Sequence, residues 1–353
     1  MNKGSTGRVM VAEAAVTEAT PIGLSRPTTQ PLEWSGVLAQ KGYVFGADIS
    51  VDSERVVLAD LSGNVVDRIY SPVDAGTSVA PEDVVARVSG MMHALLEKHN
   101  VKIRKVLRAA VGFGGPVDAL RGEVRRHHDA PGWEGFPLAQ KLEAALDVPT
   151  YLENDARLAT LGEVWFGAGR ETAECDMVYV HWSTGVGGGI VTDGKLLRGS
   201  ATIAGEFGHT VVVTGDTALP CRCGGKGHLE AYIRGTSLLS RARDLVGDSA
   251  APTDIAGLFE MARSNPEVQG LLDEAVALMG VTVANLITQI NPNLVVIGGL
   301  VARHADVLIP RISEIALQLA MPLSTTGVTI VPAQLGDEAT LMGAVALALD
   351  SLR

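Results

Sequence analysis

Met177-Val-Tyr-Val-His-Trp-Ser-Thr-Gly-Val-Gly-Gly-Gly-Ile-Val-Thr-Asp-Gly-Lys-Leu-Leu197 carries the pattern on which the fold turns. Met177–Trp182 is a β-rich run. Gly185–Thr192 is a glycine-rich turn leading into a second run, and Asp193-Gly194 is a tight turn before a third, Lys195–Leu197. The same order stands upstream: Tyr43–Ile49, Arg55–Asp60 and Asn64–Tyr70, with Ser62-Gly63 as the turn between the second and third. Each trio is followed by a helix and a strand. In the first copy these are Pro81–Asn100 and Lys105–Val111; in the second they are residues 266–290 and Leu294–Ile297. An internal duplication of this kind predicts an α/β fold of two lobes around a central cleft, with ligands at strand carboxyl ends. The first helix has Pro81 in its first turn, Glu82 and Asp83 at its N-terminal dipole, and an apolar face from Val84 to Leu95. Val301–Leu319 reads as another helix. A final helix over Asp337–Leu352 is expected to pack back on the first lobe.

Composition narrows the function. The chain has 353 residues, 29 Lys plus Arg against 40 Asp plus Glu, and a net charge of −11. An acidic balance opposes nucleic acid as the main partner, because phosphate neutralisation needs a basic face. Aromatic residues are 4%, too few for stacking platforms. Glycine is 40 of 353 and clustered, which points to tight turns and backbone approach to a ligand. Three cysteines, Cys175, Cys221 and Cys223, do not make a disulfide framework and suit a reducing compartment. With no run of 18 apolar residues and no signal-peptide core, no membrane span is expected and the cytoplasm is the expected location. Residues 1–41 carry Pro21, Pro27 and Pro31 without a sustained period; they read as a partly disordered leader with one helix near 9–19.

Four segments bear chemistry. The Gly185–Gly189 turn is either a flexible hairpin or a nest of backbone N–H groups around an anion. Because a second strand follows it, a dinucleotide fingerprint is disfavoured. Glu153-Asn154-Asp155-Ala156 follows a short strand, Thr150–Leu152. Asn154 and Asp155 either cap the helix over 154–165 or place Asp155 in the cleft as a general base for a hydroxyl. His209, Cys221, Cys223 and His228, spaced His-x11-Cys-x-Cys-x4-His, can complete a closed tetrahedral zinc site. Glu206 and Glu230 bracket it, either solvated or as acceptors for a polyol's hydroxyls.

These motifs together resemble the ROK family (repressor, ORF, kinase), sugar kinases and sugar-sensing repressors of the actin-like ATPase (ribonuclease H-like) fold. The resemblance spans about residues 43–352. Its most specific parts are Glu153-Asn-Asp-Ala156, Ser183–Gly189, Gly205-Glu-Phe-Gly-His209 and Cys221-Arg-Cys-Gly-Gly-Lys-Gly-His-Leu-Glu230. Weaker matches are Gly114-Gly-Pro-Val-Asp118, Pro131-Gly-Trp133, Pro292–Gly299 and Leu335-Gly-Asp337. It implies an N-terminal lobe over 42–153, completed by a C-terminal helix over 337–353, and a larger lobe over 154–336 holding the zinc loop. It further implies Asp155 as catalytic base, and Asn154, Glu206, His209, Glu230, Asp129 and Gly115 around the sugar. ATP and Mg2+ would lie at Asp48, Thr184, Gly185, Gly187, Gly188, Gly298 and Gly299. His209, Cys221, Cys223 and His228 would hold a structural Zn2+. A homodimer or homotetramer is expected.

The chain departs from the family pattern in four places. The first phosphate loop, Asp-x-Gly-Gly-Thr in the family, is Asp48-Ile-Ser-Val-Asp52 here, which puts ATP use in doubt and is more usual in the repressors. Asp129 replaces the Asn of the family's Asn-Leu-Pro-Gly-Trp. Arg157 replaces an Asn. His228 replaces the third zinc cysteine and remains a competent ligand. Gly23-Leu-Ser-Arg-Pro-Thr-Thr29 resembles the start of the repressors' recognition helix, but about 13 residues separate it from the strand at Tyr43. The leader therefore reads as a decayed helix-turn-helix remnant that does not bind DNA. The expected function is an ATP-dependent kinase for the primary hydroxyl of a hexose or hexose-like ring. Glucose, aminoglucose (kanosamine) and C7-cyclitols such as valiolone stay open as substrates, the last two being similar to those of antibiotic-pathway kinases in the family. The alternative is a non-catalytic sugar-sensing regulator that has lost its DNA-binding module.

Overall fold

A computed structural model describes residues 41–74, 77–125, 132–172 and 175–352. The leader and its helix near 9–19 therefore lie outside the described residues, apart from Lys41, and so does Asp129.

The first copy of the repeat is β1 (Tyr43–Ile49), β2 (Ser53–Asp60), β3 (Val65–Pro72), α1 (Pro81–Lys98) and β4 (Val106–Phe113). A small hairpin of β5 (Val117–Asp118) and β6 (Glu123–Val124) follows, then α2 (Leu138–Leu146), β7 (Thr150–Asn154) and α3 (Asp155–Phe166). The second copy is β8 (Met177–Trp182), β9 (Val186–Thr192) and β10 (Lys195–Leu196). Helices α4 (Leu229–Ile233), α5 (Gly235–Val246), α6 (Ile255–Ala262) and α7 (Pro266–Ile290) lead to β11 (Leu294–Gly298), α8 (Ala305–Leu319), β12 (Thr329–Pro332) and α9 (Ala339–Asp350).

The duplication is explicit in the sheets. One has the order β3-β2-β1-β4-β7 and the other β10-β9-β8-β11-β12. In each, the three meander strands pair antiparallel, and the two later strands join parallel to the first strand of the meander. The sequence pattern missed β12, a short strand whose residues are half-exposed or exposed and so lack a continuous apolar run. It also missed α2, the β5–β6 hairpin and the short helices α4 to α6. Val301–Leu319 divides into a 3-10 turn, Val301–His304, and α8, and the final helix begins two residues later than expected.

Local chemistry accounts for the elements that hold the site. Pro81 opens α1, and Val84, Val85, Val88, Met92, Leu95 and Leu96 form its buried face. In α7, Asn265 caps by accepting from the N–H groups of Glu267 and Val268 at 3.0 and 3.2 Å. This helix is long and apolar enough to cross a membrane by length and composition, yet Val268, Leu272, Val276, Met279 and Val283 are buried in the core of the second lobe. Its apolar character is spent on that core, where it packs against α8 and against α4, α5 and α6.

Between the sheets, α3 and α9 cross. A Cβ on Gly343 would stand 1.7 Å from the Leu158 carbonyl oxygen, and one on Gly162 2.2 Å from that of Ala339. The two backbones approach so closely because both residues lack side chains. Helix α9 also packs on β1, where a Cβ at Gly46 would meet the Leu341 carbonyl at 2.9 Å. Thus α9, the last helix in the chain, closes the face of the first sheet, while α3 packs on β8 and β9. Glu163, fully buried on α3, accepts backbone N–H groups of Ala168, Gln334 and Leu335 at 2.8, 3.1 and 2.8 Å, tying the segment before α9 to the crossing.

Candidate active site

The strand-to-helix junction β7–α3 sets Asp155. Asn154 has extended backbone and its side chain accepts from the Arg157 N–H at 3.2 Å, so it is the helix cap. Its Nδ2 donates to Asp155 Oδ1 at 2.9 Å and to the Gly115 carbonyl at 3.2 Å. The Ala156 N–H donates to the same Oδ1 at 2.7 Å. One carboxylate oxygen is therefore fixed, and Oδ2 faces Gly114, 3.6 Å from where a Cβ would stand there. Burial raises Asp155 to about 6, against the opposing hydrogen bonds and Arg157. The capping and general-base readings are thus divided between two residues: Asn154 caps, and Asp155 is left to face the cleft.

A cavity of about 440 Å3 opens on Asp155. Asn154, Glu206, His209 and Glu230 line it together with Gly115, and so do Thr184, Gly185, Gly187 and Gly188 from the β8–β9 turn. The geometry brings the expected acceptor residues and the glycine turn to one space. Asp48, Gly298 and Gly299 are not among its described lining residues. Gly205 makes this arrangement possible: with φ +96° it lies so near β9 that a Cβ would stand 2.2 Å from the Gly188 carbonyl. Only glycine tolerates both the φ and the approach, and the next residue, Glu206, is thereby delivered to the cavity. Burial pushes Glu206 upward from the usual carboxylate range.

Beneath the junction lies a buried charge network. Glu153 is fully buried and accepts from Arg157 Nε and Arg198 Nε, each at 2.7 Å. Arg157 Nη1 donates at 3.2 Å to the carbonyl of Ala204, two residues before Glu206. The Arg that replaces the family's Asn is therefore a structural cation, and it joins the Asp155 junction to the Glu206 loop.

Around the other side, His209 Nδ1 is 3.7 Å from Cys221 Sγ, and His228 Nδ1 is 3.2 Å from Cys223 Sγ. The four ligand atoms lie within 4.8 Å of one another. Ligand–ligand edges in a tetrahedral zinc site are about 3.3–3.8 Å. Two thiols and two imidazoles gathered this closely form a donor set that suits zinc. Burial pushes the Cys221 thiol up to about 12, so a cation is needed to hold it as thiolate. Glu230 is buried, with Oε1 3.2 Å from Cys221 Sγ and 3.8 Å from His209 Nδ1. His209 thus belongs both to the Cys/His cluster and to the cavity wall, and Glu230 contacts the cluster from that wall.

The segment expected to be the first phosphate loop has its acidic residue engaged within the first sheet. Asp48 is buried and ion-paired with Arg55, which also donates to the Asp337 carbonyl at 2.5 Å. Burial holds Asp48 at about 6, with Arg55 opposing and Asp155 adding to the rise. The ion pair engages one oxygen of Asp48, Oδ2. His181, also on the cavity wall, is lowered to about 4 by burial and is neutral at pH 7. Sequence reading overlooked His181, Arg222, Glu54 and Trp133 as lining residues. Arg222 had a visible signal, since it stands between two predicted metal ligands, and Trp133 closes the Pro131-Gly-Trp133 match; His181 and Glu54 are brought to the cavity only by the fold.

Comparison with known proteins agrees with this geometry. The chain matches the ROK family over residues 44–351. It belongs to the ROK family. Among ROK relatives, a glucokinase of Halalkalibacterium halodurans is 29% identical over 318 residues, covering 87% of this chain and 94% of that protein. A xylose repressor of Caldicellulosiruptor bescii is 26% identical over 324 residues, covering 88% and 79%. The ROK hexokinase of Thermus thermophilus superposes with a TM-score of 0.74 at 28% identity, over 88% of this chain and 99% of that one. A ROK glucokinase of Streptomyces griseus, solved with glucose and AMPPNP, gives 0.72 at 27% identity, over 87% and 99%. The two-lobed actin-like fold expected of a ROK protein is the one observed.

Proposed function

We propose that this ROK protein is an ATP-dependent kinase for the primary hydroxyl of a hexose or hexose-like ring, namely glucose, an aminoglucose or a C7-cyclitol. The observation that carries the reading is Asp155: one oxygen is fixed by Asn154 and Ala156, and the other stands on a cavity shared with Glu206, His209, Glu230 and the Thr184–Gly188 turn. Asp155 takes the proton of the acceptor hydroxyl as phosphoryl transfer proceeds. Asn154, Glu206, His209 and Glu230, with the Gly115 backbone, receive the ring hydroxyls, and the Gly185 turn receives the phosphates of MgATP. Asp129 is proposed beside the ring, and Gly298-Gly299 toward the adenosine. Zinc held by His209, Cys221, Cys223 and His228 is structural: it closes the loop that positions His209 and Glu230.

A second reading, a sugar-sensing regulator without catalysis, draws support from Ser50-Val51-Asp52, from the Asp48–Arg55 pair and from the likeness to repressors. ADP release with MgATP and a panel of glucose, kanosamine and valiolone separates the two. Turnover of at least one acceptor is expected; tight binding of an acceptor without any ADP release establishes the sensor reading instead.

A further inference from the structure

Phosphoryl transfer brings a highly charged anion into a space whose described walls carry Asp155, Glu206 and Glu230. Glu54, also lining it, is neutralised by a bidentate ion pair with Arg87. On the first lobe, the loop that should meet phosphate carries Asp52, and its Arg55 is committed to Asp48. Among the described lining residues there is one lysine or arginine, Arg222.

Arg222 stands between the metal ligands Cys221 and Cys223 and reaches out of the metal loop across the cavity. Its Nε is 3.6 Å from Glu230 Oε1, on the acceptor wall. Its Nη2 is 3.8 Å from where a Cβ on Gly185 would stand, on the wall of the glycine turn. No side chain at Gly185 separates the guanidinium from that turn. One planar cation therefore spans from the hydroxyl acceptors to the place where the phosphates would lie, and the metal on either side of it in sequence would hold its backbone.

We propose that Arg222 is a catalytic residue that contacts the transferring phosphoryl group. This rests on the kinase reading. In the step, the acceptor oxygen forms a bond to the γ-phosphorus, and the bond from that phosphorus to the β,γ-bridging oxygen breaks. The electron pair of that bond leaves with the bridging oxygen of ADP, and the hydroxyl proton passes to Asp155. Negative charge shifts toward the bridging oxygen while the non-bridging oxygens remain charged. A guanidinium meets two such oxygens at once with fixed geometry, which an ammonium cannot do.

The test uses the full-length, metal-containing protein with Arg222→Gln and Arg222→Lys. Zinc per chain, acceptor affinity without nucleotide, kcat, and KM for ATP are measured for each. The expected result for Arg222→Gln is unchanged zinc, acceptor Kd within about twofold, and kcat lowered at least about 100-fold. Arg222→Lys should recover part of that loss while keeping zinc, which guards against a glutamine variant that fails to fold. Turnover of Arg222→Gln within about fivefold of wild type overturns the proposal. So does a loss confined to acceptor Kd and KM at constant kcat, which would make Arg222 only a support for Glu230. A wild-type protein that itself transfers no phosphate to any acceptor sinks the kinase reading and this role with it, whereas active wild type with an equally active variant removes the role of Arg222 alone.

Discussion

Replacing Asp155 by Asn tests catalysis and burial in one protein. The amide can still accept from Asn154 Nδ2 and the Ala156 N–H, now 2.9 and 2.7 Å from Oδ1, so the junction keeps its hydrogen bonds. Basicity is lost, and a positioned general base typically contributes about 10²–10⁴-fold. Phosphate transfer should therefore fall at least about 100-fold, with acceptor affinity within about twofold. Stability moves the other way. Burial raises Asp155 from 3.8 to about 6, and at 1.36 kcal/mol per pKa unit the ionised side chain is disfavoured in the fold by on the order of 3 kcal/mol. That is an upper bound, because Oδ2 opens on the cavity. At pH 7 the variant should melt higher than wild type, by at most roughly 5 °C for a chain of this length. The sign follows from the raised value: protonation favours the fold, so this destabilisation is absent below about pH 4 and complete above about pH 6. In wild type the same ionisation gives kcat/KM an acid limb near pH 6, with activity lost below it. Rapid-quench measurement of the transfer step, calorimetric acceptor binding and thermal melts at pH 4.5 and 7 read all three quantities. A variant that keeps more than a tenth of wild-type transfer, with chemistry as the slow step, would falsify the base assignment. A variant that melts well below wild type would show that the Asp155 charge stabilises the start of α3 rather than being disfavoured by burial.

Cys221→Ser should lower zinc below about 0.2 per chain and reduce melting temperature and acceptor affinity together, since a structural metal contributes folding free energy; full zinc in the variant refutes the ligand set. Glu153→Gln leaves the guanidiniums of Arg157 and Arg198 without their carboxylate, so urea unfolding should register a loss of about 3 kcal/mol; a loss under about 1 kcal/mol contradicts the network. Restoring the family's first phosphate loop through Ser50→Gly, Val51→Gly and Asp52→Thr should lower KM for ATP by about tenfold, equivalent to about 1.4 kcal/mol. Unchanged KM for ATP would mean that this loop does not meet phosphate.

The two meanders and their following helices and strands were legible in the sequence because β-runs separated by Ser62-Gly63 and Asp193-Gly194 repeat at two places in the chain. Apolar period and turn chemistry are local properties, so Met177–Trp182 was placed to the residue. The candidate metal cluster was legible for a related reason: four soft or imidazole donors occur within 20 residues, where the chain can close on one ion. The roles of Asn154 and Asp155 stayed divided between cap and base, because both readings need the same residue types at a helix start. Tertiary structure gave the cap to Asn154, whose Oδ1 accepts the Arg157 N–H, and left Asp155 Oδ2 near Gly114 on the cavity side. In the sequence Arg157 was only a departure from the family's Asn; in the fold it is a buried partner of Glu153, and its meaning depends on Arg198 and Ala204, more than 40 residues away. Asp48 had the position of a phosphate-loop acid, and only the pairing of β1 with β2, which sets it opposite Arg55, reveals its ion-pair partner. Local pattern, then, determined which elements form and in what order. Which charges are neutralised, and which are left facing the cleft, was decided by contacts between residues that only the packed sheets bring together.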